Sequence, residues 1–111
     1  MAYEISKEAL DAAKKEYPEA KKFGITVRKS KIEVICRPPN RTEWRKFKFD
    51  LLSGGQAAAS ANEQLFINCC VVPKKDELDG LLNKFPAAAD VFGVKCRELG
   101  GSAVEVVESD L

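Results

Sequence analysis

Between Arg37 and Gly101 the chain alternates helically spaced apolar residues with proline and glycine stops, a punctuation that permits several short helices but no long one. An Arg-Pro-Pro-Asn-Arg turn opens the run at Arg37. Ser53-Gly54-Gly55 and Pro73 interrupt it, and Gly100-Gly101 closes it. Asn40 is a good N-cap, with Glu43 placed to complete a capping box. Trp44, Phe47, Leu51 and Leu52 then mark the core face of a helix that Gly54 ends. The next helix begins near Gln56, presents Ala58, Ala61, Leu65 and Cys69 with Phe66 flanking, and runs until Pro73. Asp76 is expected to cap a third, whose Leu78, Leu81, Leu82 and Phe85 fall at i, i+3, i+4 and i+7. Pro86 suits the first turn of a fourth, with Val91, Phe92, Cys96 and Leu99 on one face.

Before this run, Ser6 caps a short helix bearing Leu10, Ala13 and Tyr17, which Pro18 ends. Phe23–Val27 and Lys31–Cys36 alternate apolar and polar residues as two strands of a hairpin, with Arg28-Lys29-Ser30 as the turn. Ser102–Glu108 carries Val104, Val106 and Val107 in a strand-like segment able to join that hairpin. The expected architecture is α+β: a small antiparallel sheet packed against four to five short helices. At 111 residues this is a single domain, 1–111, with one core.

The chain contains no histidine, so neither a Ser-His-Asp nor a Cys-His arrangement can be assembled from it. No catalytic residue is assigned, and no enzyme is expected. Cys36, Cys69, Cys70 and Cys96 lack zinc-knuckle spacing and read as free structural thiols. Asp76, Glu77 and Asp79 suit the first turn of a helix better than a calcium loop. Neither Gly-Gly pair continues into the Gly-Lys-Ser or Gly-Lys-Thr of a phosphate loop. No metal or cofactor is expected.

The net charge of +1 conceals a polarity along the chain. Residues 21–48 hold ten basic side chains against two acidic ones, a local charge of +8; residues 1–20 carry −2 and residues 49–111 carry −5. The basic segment interleaves with Phe23, Trp44 and Phe47, which admits a small nucleic-acid-binding module as an alternative function. The overall pI near 7.6 and the acidic flanks make nucleic acid the weaker partner. No apolar stretch approaches the roughly 20 residues that cross a bilayer, and the start Met-Ala-Tyr-Glu-Ile-Ser-Lys-Glu lacks the order of an export signal. No membrane association is expected, and the expected location is the cytoplasm.

Arg37-Pro38-Pro39-Asn40-Arg41 leading into a helix, followed by Ala61-Asn62-Glu63 and then Asn68-Cys69-Cys70, resembles the phage tail assembly chaperone family over residues 36–101. Arg37, Pro38, Arg41, Asn62, Glu63 and Cys69 match the motif. The resemblance implies a non-enzymatic protein that binds the tape measure protein, keeps its long apolar helices in solution and helps recruit tail tube protein. The candidate partner contacts are Arg37, Arg41, Arg45, Asn62, Glu63 and Phe66. A structural tail or connector protein is the remaining alternative.

Overall fold

A computed structural model describes residues 3–102 and 106–110. Helix α1 (Lys7–Glu16) starts at Ser6, whose hydroxyl accepts the Ala9 N–H at 3.1 Å. It ends before Pro18, as the pyrrolidine ring requires. Strands β1 (Lys21–Val27) and β2 (Ser30–Cys36) form the expected antiparallel hairpin, with Phe23 opposite Val34 and Ile25 opposite Ile32. The two-residue turn places Arg28 and Lys29 at φ 48° and 68°, the left-handed pair that matches the twist of the flanking strands. Arg28 is held there by its guanidinium, 5.1 Å from the centre of the Phe85 ring.

Helix α2 (Arg41–Ser53) begins with the predicted box: Asn40 Oδ1 accepts the Glu43 N–H at 2.8 Å, and Glu43 Oε1 accepts the Asn40 N–H at 3.0 Å. Gly54, at φ 69°, ends it. The single helix expected from Gln56 is instead two, α3 (Gly55–Ala59) and α4 (Ala61–Cys69), separated at Ser60. The Ser60 hydroxyl donates back to the Gln56 carbonyl at 3.0 Å, a local bond that competes with helical continuation. β3 (Cys70–Val72) follows directly and pairs antiparallel with β2. Helices α5 (Lys75–Lys84) and α6 (Ala88–Arg97) come next, then a π-type turn over Glu98–Ser102 with Gly101 at φ 96°. Lys74, not Asp76, occupies the N-cap of α5, while Asp76 and Glu77 stand in its first turn beside the positive end of the dipole.

The fold is α+β, with six α-helices among the described residues and one three-stranded antiparallel sheet in the order β1-β2-β3. The third strand is therefore Cys70–Val72 and not the C-terminal segment. Val106 and Val107 lie outside any strand and are exposed, and Val104 falls outside the described residues. Val71 and Val72, β-branched and just before Pro73, suit an extended edge better than a last helical turn.

β2 is covered on both faces. Ile32, Val34 and Cys36 point into the main core with Phe47, Leu65, Phe66, Leu78, Leu81, Phe85, Phe92 and Cys96. Ile35 points the other way, onto Ala13 and Ala20 with Leu10 and Tyr17 around them. Glu33, on that second face, accepts the Ile5 N–H at 3.0 Å and pairs with Lys22 at 3.2 Å. The sheet thus separates α1 from the other helices. Among the described residues no helix is long and apolar enough to cross a membrane.

Candidate partner-binding surface

The Arg-Pro-Pro-Asn-Arg turn comes directly off the end of β2, and its first residue is fully engaged. Arg37 donates from both guanidinium nitrogens to the two Glu43 carboxylate oxygens at 2.8 Å and 2.8 Å, and once more to the Asn68 carbonyl at 2.8 Å. Its backbone N–H reaches the Cys69 carbonyl at 3.0 Å, and its guanidinium lies 5.8 Å from the Tyr17 ring centre. A bidentate pair of this kind is directional and strong. The charge of Arg37 holds the Glu43 carboxyl below its ordinary range, with the Asn40 N–H acting in the same sense. Arg37 therefore joins the end of β2, the start of α2 and the end of α4, and has little left to offer a partner.

A cleft of ≈ 770 Å³ lies between residues 16–19, where α1 ends and the chain turns toward β1, and the turn Arg37–Asn40. Its cation is Arg37, already committed to Glu43.

Phe66 is wholly enclosed, at 0% exposure, packed against Phe92 with ring centres 5.4 Å apart and the rings tilted by 31°. It cannot touch a partner, which corrects its assignment as a contact residue. Burial of such a ring contributes about 1.5–3 kcal/mol to the core. Asn62 sits where α4 crosses α6: a Cβ on Gly93 would lie 2.5 Å from the Asn62 carbonyl oxygen, so the two helices approach as closely as glycine allows. The Asn62 Oδ1 is buried there without a hydrogen-bond partner among the described residues. Glu63 is half-buried on the same helix.

Arg41 and Arg45 are exposed, as a contact role requires. They belong to a larger feature of α2. The inward side of this helix is half-buried Trp44, buried Phe47 and buried Asp50, the last neutralised by Lys46 at 3.0 Å. Leu51 and Leu52, expected on the core face, are exposed instead. Arg41, Arg45, Lys48, Phe49 and Leu52 follow one another at intervals of four, three, one and three residues, and so share one outward stripe. Phe49 is 70% exposed and Leu52 88%. Among the described residues none of the three cations is in an ion pair.

Lys48, Phe49 and Leu52 are thus the members of this surface that the candidate residues left out. Helical spacing from Arg41 and Arg45 marks them. The adjacent leucines at 51 and 52 drew the core stripe to the wrong side, because nothing local shows that a carboxylate, Asp50, takes the inward place.

The four thiols are free, and Cys36, Cys69 and Cys96 are buried. Contacts with Cys70 and Cys96, together with burial, push the Cys36 thiol up, and contact with Cys96 and burial do the same for Cys69. Both remain protonated and serve as small core side chains. Among the described residues no group of three or more Cys, Asp or Glu side chains is arranged to hold a metal ion.

No family model and no curated protein matches this chain. Among solved structures its fold is similar to that of the uncharacterised protein rbstp2171 from Bacillus stearothermophilus, with a TM-score of 0.67 and 18% sequence identity over 90% of this chain and 99% of that one. At that identity the likeness shows a shared fold alone.

Proposed function

We propose that this protein is a non-enzymatic binding protein whose α2 outer face takes an acidic amphipathic segment of a partner. The observation that carries the reading is the pair Phe49 and Leu52, large and bare beside Arg41, Arg45 and Lys48. An apolar helix face set among carboxylates would bury both side chains and meet the three cations. Covering each of the two contributes about 1.5–3 kcal/mol, offset in part by ordering costs. The resemblance over residues 36–101 gives the partner a name: a phage tape measure protein, with tail tube protein as a second client. The chain then acts as a tail assembly chaperone in the cytoplasm of the bacterial host, and catalyses no reaction.

Nucleic acid fits this face less well. The cations suit phosphates, but Phe47 is buried and Trp44 half-buried, so Phe49 is the one freely exposed aromatic of α2. Stacking on successive bases needs more than one such platform.

Co-expression with a phage tape measure protein tests the reading. The expected result is a complex that co-purifies and keeps the long helical protein in solution. A tape measure protein that precipitates to the same extent with and without this chain would exclude the chaperone role. A salt titration against RNA and DNA addresses the alternative: measurable binding at low salt that weakens steeply as salt rises would favour it.

A further inference from the structure

The cysteines of the chain sit on four different elements and meet at one corner of the fold. Cys36 ends β2, Cys69 ends α4, Cys70 opens β3 and Cys96 lies near the end of α6. Cys36, Cys69 and Cys96 are enclosed in the main core, whereas Cys70 packs against it and is only half-buried. Cys70 is the one thiol within reach of solvent.

The strand register singles out its partner. Ile35 stands opposite Val72, so an unbroken antiparallel ladder would set Val71 opposite Cys36; the register shifts between Ile35 and Cys36, and Cys70 takes that place instead. Bulges re-aim side chains in this way. Val71 accordingly packs on the second core with Ile35, and Cys70 on the first with Cys36. Residues directly opposite on antiparallel strands have Cα atoms about 4.5–5.5 Å apart, inside the range of about 4.4–6.8 Å that a disulfide spans. The Cys36 and Cys70 side chains already interact. In this reduced form the Cys70 S–H donates to the Val72 carbonyl at 3.3 Å, a weak bond that costs little to give up.

We propose that Cys70 is a site of reversible oxidation by hydroperoxides, with Cys36 as the thiol that resolves it into a Cys36–Cys70 disulfide. Half-exposure of Cys70 admits a small neutral oxidant more readily than a bulky disulfide. The Cys70 thiolate attacks the O–O bond and becomes a sulfenic acid, while the rest of the peroxide leaves as an alcohol, or as water when the oxidant is hydrogen peroxide. The Cys36 sulfur then displaces the sulfenic hydroxyl, which departs with the Cys36 proton as water, and the S–S bond forms. Two thiols lose two electrons and two protons, and the peroxide gains them. The bond closes the chain around α2, α3 and α4, and it does not depend on what α2 binds.

Treatment of the reduced full chain with hydrogen peroxide tests the proposal, read by intact mass and by fragment mapping without reductant. The expected product is a monomer lighter by two hydrogens, with two of the four thiols still titratable and the bridge mapped to Cys36 and Cys70; dithiothreitol should restore all four. Cys70→Ser should form no bridge and consume peroxide at least about tenfold more slowly. Cys36→Ala should stop at the Cys70 sulfenic acid, which dimedone traps. A bridge from Cys70 to Cys69, a bridge to Cys96, a disulfide between copies or four unchanged thiols would overturn the proposal. A Cys70→Ser variant that oxidises as fast as the unaltered chain would do the same. Serine replaces a half-buried side chain of similar size there, so this arm stands even where Cys36→Ala fails to fold.

Discussion

Arg37 and Glu43 meet through two parallel N–H···O contacts of 2.8 Å each, and the same carboxylate caps the helix that carries the exposed stripe. One ion pair thereby fixes both the sheet-to-helix turn and the entry angle of α2.

Removing that pair should cost the fold, not the partner contact itself. Arg37→Ala is expected to lose about 2–3 kcal/mol in urea unfolding, since it strands Glu43 and the Asn68 carbonyl together. Arg37→Lys should recover less than half of this, because an ammonium cannot make the bidentate contact. A loss below about 0.5 kcal/mol for Arg37→Ala would mean that the clamp is decorative.

Acid should weaken the fold through two carboxylates. Arg37 holds Glu43 below the usual 4.5, and the Ile5 N–H, aided by Lys22, does the same for Glu33 against the opposing effect of burial. Their folded values lie below their unfolded ones, so the stability they supply is complete above the unfolded value and drains away as pH falls through the folded values. Urea midpoints should stay nearly level from about pH 7 to pH 5 and then fall below about pH 4. Glu43→Gln should be weaker at neutral pH and close the gap with the unaltered protein in acid.

Two glycines in helices should respond oppositely to alanine. Gly93 faces the Asn62 backbone, where a Cβ would lie 2.5 Å from the carbonyl oxygen, so Gly93→Ala must push α4 and α6 apart and should cost about 1–3 kcal/mol. Gly80, in α5, has nothing within 4 Å of the same position, and Gly80→Ala should stabilise by about 0.5–1 kcal/mol. Thermal or urea unfolding of the two variants gives the signs directly.

Elements held by neighbours in sequence were legible in the sequence. Ser6 and the Asn40–Glu43 box start their helices where expected, and Ile25, Val27, Ile32 and Val34 pair as a hairpin through Arg28 and Lys29. What escaped were choices made by distant contacts. Cys70–Val72 extends because the free edge of β2 is there to pair with it, and Asp50 turns inward beside Lys46 while Leu52 turns out. Phe66 was placed at the flank of a helical stripe, yet Phe92, 26 residues on, makes it the centre of the core. The exposed face of α2 was half legible: Arg41 and Arg45 stood out by charge, and Phe49 is assigned only once the buried side of the helix is known.

The most direct measurement is the affinity of a synthetic acidic amphipathic helix for three forms of this chain. The unaltered protein should bind with a dissociation constant on the order of micromolar, about −8 kcal/mol. Arg45→Glu, Lys48→Glu and Phe49→Ser together should weaken binding by at least about thirtyfold with the unfolding midpoint unchanged, since all three side chains are exposed. Lys14→Glu with Lys15→Glu on α1 should leave the affinity as it was. Equal binding by the α2 variant and the unaltered chain would contradict the account.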